Sequence, residues 1–362
     1  MKYSSVIAGK RLMSINFFFR IIKPILFKLD PEKSHDWGFY LLSRLELIVG
    51  KFFSVPSPPI VKPTHVRKLF FNNRIGLAAG LDKNGEYIDA LSRFGFGSIE
   101  VGTVTPLAQP GNEKPRLFRI ENERALINRL GFNNAGMHQV FKNIKKSRWV
   151  REKKGVLGVN LGINKTTSLR NAYMDYQKGL LFFWDVANYF VINISSPNTK
   201  QVRELQTHKY LEDLVKKISR LQKQQNEKMG TQKPVLYKIS PDNNEKDLVE
   251  ITHVFNKFSV DGVIVTNTTN NHDELNSKMK VPGGLSGAPL EQRALLCLKK
   301  IRPLLNRDIA IIASGGIMSK EAVELRIKAG ASIVQIYTGL IYEGPKIISD
   351  SLENLKLNLS GE

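Results

Sequence analysis

Carboxamides, lysines and glycine-rich turns are the residues of this chain whose types and spacing suit chemistry. Asn128, Asn133, Asn134, Asn160, Asn193, Asn198 and Asn267 all fall at or beside the ends of apolar runs. A carboxamide has one acceptor oxygen and two N–H donors, so a ring of them suits a planar polar heterocycle with alternating C=O and N–H groups. Lys83 and Lys238 stand in similar places and suit a substrate carboxylate or a developing negative charge. Three glycine-rich stretches, Gly283-Gly284-Leu285-Ser286-Gly287, Ser314-Gly315-Gly316-Ile317 and Tyr337-Thr338-Gly339, would let backbone N–H groups approach phosphate oxygens. None of the six histidines has a metal-binding spacing, and no acid pair closes two runs, so metal hydrolysis and glycoside chemistry are disfavoured. The single cysteine, Cys297, forbids an internal disulfide and a Cys-based metal centre. It sits in the amphipathic helical pattern Gln292–Leu298 and reads as a packing residue.

The elements that must position these residues follow from periodicity. Beyond residue 75, short apolar runs alternate with longer helical patterns, as in a parallel α/β fold. The eight runs are Ile75–Ala79, Ser98–Gly102, Val156–Leu161, Tyr189–Ile194, Val235–Ile239, Gly262–Val265, Ile309–Ala313 and Ile333–Ile336. Their C-terminal edges carry Gly80 with Lys83, Thr103, Asn160, Asn193 with Ser196, Lys238, Thr266 with Asn267, Gly315-Gly316, and Tyr337-Thr338. In a closed (β/α)8 TIM barrel all eight edges meet on one face, where the active sites of that fold lie. A doubly wound open sheet competes, but it usually carries G-x-G-x-x-G after its first strand, and this chain has none.

The 362 residues hold 54 Lys and Arg against 33 Asp and Glu, a formal charge of +21. Such an excess favours anionic partners. The lysines are scattered, however, and the densest cluster, Lys142–Lys154, reads as the exposed face and exit of a helix, so no nucleic-acid partner is expected. No apolar stretch reaches the length of a membrane span. The segment Phe17–Phe27 is aromatic and basic, and the first acid of the chain is Asp30. That composition suits a helix lying on an anionic membrane surface, or equally a mitochondrial transit peptide or an ordinary packing helix. Asp30-Pro31-Glu32-Lys33 is a helix start, with Asp as N-cap and Pro at the first position. Pro56, Pro58, Pro59 and Pro63 make a stiff connection, which divides the chain into a helical segment, 1–60, and a catalytic barrel, 61–362.

Asn193-Ile194-Ser195-Ser196-Pro197-Asn198-Thr199, with Ala78-Ala79-Gly80-Leu81-Asp82-Lys83, Asn128-Arg129-Leu130-Gly131-Phe132-Asn133-Asn134 and Gly283–Gly287, closely resembles the dihydroorotate dehydrogenases. The likeness runs from about residue 29 to residue 345. It implies a (β/α)8 barrel that oxidises dihydroorotate to orotate on non-covalent FMN, in pyrimidine synthesis. By resemblance, Ala79, Gly80, Lys83, Thr103, Asn160, Asn193, Lys238, Thr266, Gly287, Gly316, Tyr337 and Thr338 would hold the FMN. Lys83, Asn128, Asn193, Asn198, Asn267 and Thr268 would grip the substrate, with the loop Asn128, Arg129, Leu130, Gly131 and Phe132 beneath. Ser196 resembles the general base that takes the C5 proton, and Thr199 and Phe132 resemble the residues that position its proton path.

Serine at position 196, where the soluble branch has cysteine, together with Asp30-Pro31-Glu32-Lys33-Ser34-His35, is similar to the membrane-associated, quinone-dependent branch. In that branch the N-terminal helices dock on the membrane and form a quinone tunnel, near whose inner end His35, Arg119 and Tyr337 would lie. The implied setting is peripheral, on the cytoplasmic side of a cell membrane or at a mitochondrial inner membrane, as a monomer. Two alternatives stay open: the same oxidation with a soluble acceptor such as fumarate or NAD, and a non-catalytic barrel that binds phosphates or nucleic acid. Lys200-Gln201 and Ile163 depart from the usual pattern, and Met13 is a second candidate start.

Overall fold

Runs such as Val156–Leu161 and Tyr189–Asn193 are buried along their whole length, which demands a sheet covered on both faces. A computed structural model describes residues 16–49, 64–199, 202–276 and 281–359. It contains a closed, all-parallel barrel of eight strands: β3 (Ile75–Leu77), β4 (Ser98–Val104), β7 (Val156–Leu161), β8 (Tyr189–Asn193), β9 (Val235–Ile239), β10 (Gly262–Val265), β12 (Ala310–Ser314) and β13 (Ile333–Ile336). These coincide with the eight expected runs to within a few residues at the ends. The barrel closes where β13 pairs with β3, with Gln335 opposite Gly76.

Because strand side chains alternate, every second residue enters the barrel. At its N-terminal end these inward residues are apolar: Val156, Tyr189, Leu236, Ile264, Ile312 and Ile333 form one cluster with Val66 and Phe71. Val66 and Phe71 belong to a two-stranded antiparallel ribbon, β1 (Thr64–Val66) and β2 (Leu69–Phe71), that plugs this end. Further along the same strands the inward positions become polar, with Glu100 and Gln335, then Asn160, Asn193, Lys238, Thr266 and Ser314, all buried. The outward positions, such as Phe190, Ile192, Val263 and Ile311, pack under the surrounding helices in the main core. Cys297 is buried there too, and burial pushes its thiol up to about 12, as befits an inert packing residue.

One layer was not expected from periodicity. Strands β5 (Leu117–Ile120), β6 (Ala125–Asn128) and β11 (Gly284–Gly287) form a separate antiparallel sheet in the order β11-β6-β5. The glycine-rich stretch 283–287, expected as a turn, is thus a strand, with Gly284 opposite Asn128 and Ser286 opposite Leu126. Against this sheet lie α1, helical over residues 16–27, and α2 (Pro31–Val49). Asp30 caps α2 as expected, its Oδ1 accepting from the backbone N–H groups of Glu32 and Lys33 at 3.1 Å each. Glu32 ties α2 to the barrel: Arg116 Nη2 donates to its Oε1 at 2.6 Å. Burial raises the Glu32 carboxyl, but the hydrogen bond and charge of Arg116, with Lys114, hold it below its ordinary value. The expected boundary near residue 60, the candidate start at Met13 and the Lys200-Gln201 departure lie outside the described residues.

Candidate active site

The polar strand ends enclose an open-mouthed cavity of about 960 Å³. Ala79, Gly80, Lys83, Thr103, Lys238, Thr266, Gly316, Tyr337 and Thr338 line it, and so do Asn128, Leu130, Gly131, Phe132, Asn193, Ser196, Asn198, Asn267 and Thr268. Residues up to 259 positions apart in sequence are brought together here because all the strands run the same way. Gly80 has φ +104°, and a Cβ there would stand 3.2 Å from the Tyr337 ring, so glycine is required both by conformation and by space.

The carboxamides form a connected net. Thr103 Oγ1 donates to Asn160 Oδ1 at 2.6 Å, and Asn193 Nδ2 donates to Thr103 Oγ1 at 3.0 Å and Asn160 Oδ1 at 3.3 Å. Asn267 Nδ2 donates to Ser195 Oγ at 3.0 Å and Asn193 Oδ1 at 3.3 Å. Across the mouth, Asn198 Nδ2 donates to Asn128 Oδ1 at 2.8 Å, and Asn128 Nδ2 to the Gly284 carbonyl at 3.1 Å. The net fixes which amide edges remain for a ligand. Ser196 is buried, its Oγ accepting from the Asn198 backbone N–H at 3.3 Å, and Thr199 Oγ1 is buried without a partner among the described residues. Burial lowers the Lys83 ammonium to about 8, although Glu32, Asp36 and Asp82 pull the other way. Burial likewise lowers Lys238, opposed by the Glu100 carboxylate.

Three expected site residues are not at the cavity surface. Arg129 turns outward: its Nε and Nη2 donate to the Pro115 carbonyl at 3.1 and 2.8 Å, and its guanidinium lies over the Phe118 ring. Asn160 is wholly buried one layer beneath, behind Thr103. Gly287 closes β11 against the Arg124 backbone, where a Cβ would overlap the Arg124 carbonyl, and Ser286 reaches the cavity in its place. Ser286 Oγ accepts from Thr338 Oγ1 at 2.9 Å, which joins two of the three glycine-rich stretches. Sequence reading missed Glu100 and Gln335. Their signal was present: Glu100 is the one charged residue of its strand, and Gln335 the one polar residue of its own.

A second cavity, about 1090 Å³, lies between the helical segment and the barrel. Phe18, Phe19, Ile22, Leu26, Phe39 and Leu42 line it from the helices, and Leu81, Phe94, Leu117, Leu126 and Ile341 from the body. Its lining is apolar apart from a few groups, including His35 and Arg119. His35 Nε2 is 2.7 Å from the Leu81 carbonyl, and its Nδ1 is 3.2 Å from Asp36 Oδ1. Arg119 Nη1 donates to the Phe27 carbonyl at 2.9 Å while the guanidinium lies 4.1 Å from the centre of the Phe27 ring. Burial lowers its pKa, and its Nε has no protein partner. Tyr337 lines both cavities, and burial pushes its phenol up to about 12, so it stays neutral. The small sheet serves both as well: one face presents Ser286 and Asn128 to the polar cavity and Leu126, Leu117 and Arg119 to the apolar one.

Known proteins match this arrangement over nearly its whole length. The dihydroorotate dehydrogenase family profile covers residues 62–359. A protein of Buchnera aphidicola subsp. Schizaphis graminum named dihydroorotate dehydrogenase (quinone) is 43% identical over 341 residues, 93% of this chain and 100% of that one. A protein of the same name from Hamiltonella defensa is 44% identical over 340 residues, with the same coverage of both chains. The crystal structure of DHODH from Eimeria tenella in complex with ferulenol superposes with a TM-score of 0.83 at 36% identity, covering 92% of this chain and 93% of that one. A barrel whose polar mouth adjoins an apolar cavity under N-terminal helices, matched at this identity and coverage, belongs to the dihydroorotate dehydrogenase family.

Proposed function

We propose that this protein oxidises dihydroorotate to orotate in the polar cavity and passes the electrons to a quinone in the apolar one, a step of pyrimidine synthesis. The observation that carries this reading is Tyr337, a neutral side chain common to two cavities of opposite character. A charged, hydrogen-bonding substrate and a lipid-soluble one need different solvents, and this wall separates them by a single residue.

The polar cavity fits FMN: its glycine-bordered edge at Gly316 and Thr338 suits a phosphate, and its amides, hydroxyls and Lys238 suit a planar heterocycle. When bound, FMN supplies the two-electron acceptor that links the substrate to the quinone. Gly80, Thr103, Lys238 and Thr266 would hold its ring, with the Lys238 ammonium opposing negative charge there. Lys83 pairs with the substrate carboxylate, while Asn128, Asn193, Asn198, Asn267 and Thr268 orient the ring by its C=O and N–H groups. Ser196 Oγ takes the C5 proton. A serine hydroxyl is a weak base, so it depends on a site shielded from water and on onward transfer, for which the unpartnered Thr199 Oγ1 is available.

The outer faces of the helices suit a membrane surface. Phe17, Ile21 and Ile25 are more than half exposed along one side of α1, as is Trp37 on α2. Arg20 and Lys28 are exposed among them to meet anionic headgroups. No described helix is long and apolar enough to cross a membrane, which accords with peripheral attachment. An anaerobic visible spectrum of the purified protein tests the whole reading. Flavin bands should bleach with dihydroorotate and return with a quinone analogue. Bands that return only with fumarate or NAD would move the acceptor, and a protein that binds no FMN would end the proposal.

A further inference from the structure

Glu100 stands wholly buried inside the barrel, and the chemistry above does not use it. Three donors converge on its carboxylate. Oε1 accepts from Asn160 Nδ2 at 2.8 Å, and Oε2 accepts from Gln335 Nε2 at 2.6 Å and from the Tyr189 hydroxyl at 3.0 Å. A carboxylate carries lone pairs on both oxygens and can meet all three donors at once. Two glycines open the space: a Cβ at Gly158 would overlap the Tyr189 ring, and one at Gly76 would press on Gln335 and overlap Ser98.

Each amide has a donor end and an acceptor end, so binding one end orients the other. With its nitrogen on Glu100, Asn160 turns Oδ1 to Thr103 and Asn193. Asn193, having spent its nitrogen there, offers Oδ1 to Asn267. Gln335 is held in the same sense, and its Oε1 has no partner among the described residues although the residue is 1% exposed and lines the polar cavity. A buried acceptor left unmatched is costly unless a ligand meets it.

We propose that Glu100 is a positioning residue that sets the hydrogen-bond polarity of the cavity floor, and that Gln335, oriented by it, is a further binding residue whose Oε1 accepts a ring N–H of the flavin. The proposal rests on the flavin reading above. Glu100→Gln keeps the shape but replaces one oxygen by an NH2 group; the oxygen that remains can keep Gln335 and Tyr189, which leaves the NH2 facing Asn160. Asn160 must then turn over to accept from it, reversing the polarity passed to Asn193 and Asn267. Gln335→Met removes the acceptor alone.

The test uses the holoenzyme. FMN release on dilution is followed by recovery of flavin fluorescence, and orotate binding by the shift of the flavin absorbance. Both variants should bind FMN about tenfold more weakly, the scale of one buried hydrogen bond. Orotate affinity should fall about tenfold in Glu100→Gln and stay within about twofold in Gln335→Met. Because the polarity acts through Asn160, adding Asn160→Ala to Glu100→Gln should weaken orotate no further than the larger single change. Should Glu100→Gln fail to fold, by near-UV circular dichroism, Gln335→Met and Asn160→Ala still decide: the first must lose FMN affinity and the second orotate affinity. Variants that keep wild-type affinities, or losses that add in the double variant, would overturn the proposal. A wild-type protein without FMN would instead overturn the reading on which it rests.

Discussion

The polar cavity and the apolar cavity share Tyr337 and one small sheet, yet they are built in opposite ways. The polar one is made from inward positions of parallel strands, where backbone direction and two-residue alternation leave each side chain one place to go. Its amides hold one another, so its geometry is set before a ligand arrives. The apolar one is a gap between separate bodies, two amphipathic helices laid against β5, β6 and the segment around Ile341. Its walls touch by packing, and its few polar groups are spent on backbone carbonyls such as those of Phe27 and Leu81. Preorganisation for proton and charge chemistry therefore belongs to the strands, and accommodation of a greasy partner belongs to the helices.

Ser196→Ala should sharpen this contrast most. It should slow flavin reduction by dihydroorotate by a factor of about 10² to 10⁴, as for other general bases, with flavin content and quinone binding unchanged. Stopped-flow reduction measures it, and a near wild-type rate would remove Ser196 from its role.

The next effect is on pH. A carboxylate ligand favours the protonated form of Lys83, whose ammonium ionises near 8 in the free protein because it is buried. Orotate affinity should thus be constant below that pH and fall as pH rises through it, by about tenfold per unit at the limit. Lys83→Met should be weak at every pH and flat across pH 7–10. A wild-type titration of the flavin spectrum with no such fall would separate Lys83 from the substrate carboxylate.

The smallest change is expected from Leu26→Glu, which places a charge in the apolar cavity. Burying it is costly, so the KM for quinone should rise about tenfold while reduction by dihydroorotate keeps its rate. Loss of both half-reactions would show that the two cavities are not separable.

The fold and most of the polar site were legible in the chain. Apolar runs of strand length recur with helical stretches between them, and the polar residue ending each run is where a parallel barrel must place its chemistry. The proposed roles of Ser196, Lys83 and the amides rest on that logic and on family likeness. Arg129 shows that spacing puts a residue beside a cavity without saying which way a long side chain turns: here the Pro115 carbonyl and the Phe118 ring hold it. Gly287 ends a strand rather than a turn, and a glycine in either place looks alike in sequence. The separate sheet of β5, β6 and β11 has no periodic trace because its strands are four residues long and β11 joins β6 across more than 150 positions.

By itself, then, the sequence determined which residues form the barrel strands and which polar residue ends each, since those depend on local backbone geometry. Only the tertiary structure decided that Glu100, 60 residues from Asn160 and 235 from Gln335, orients both, and that Tyr337 divides two solvents. Hydrogen-bond polarity and the boundary between cavities are properties of contacts between distant segments, and they exist only once the barrel has closed.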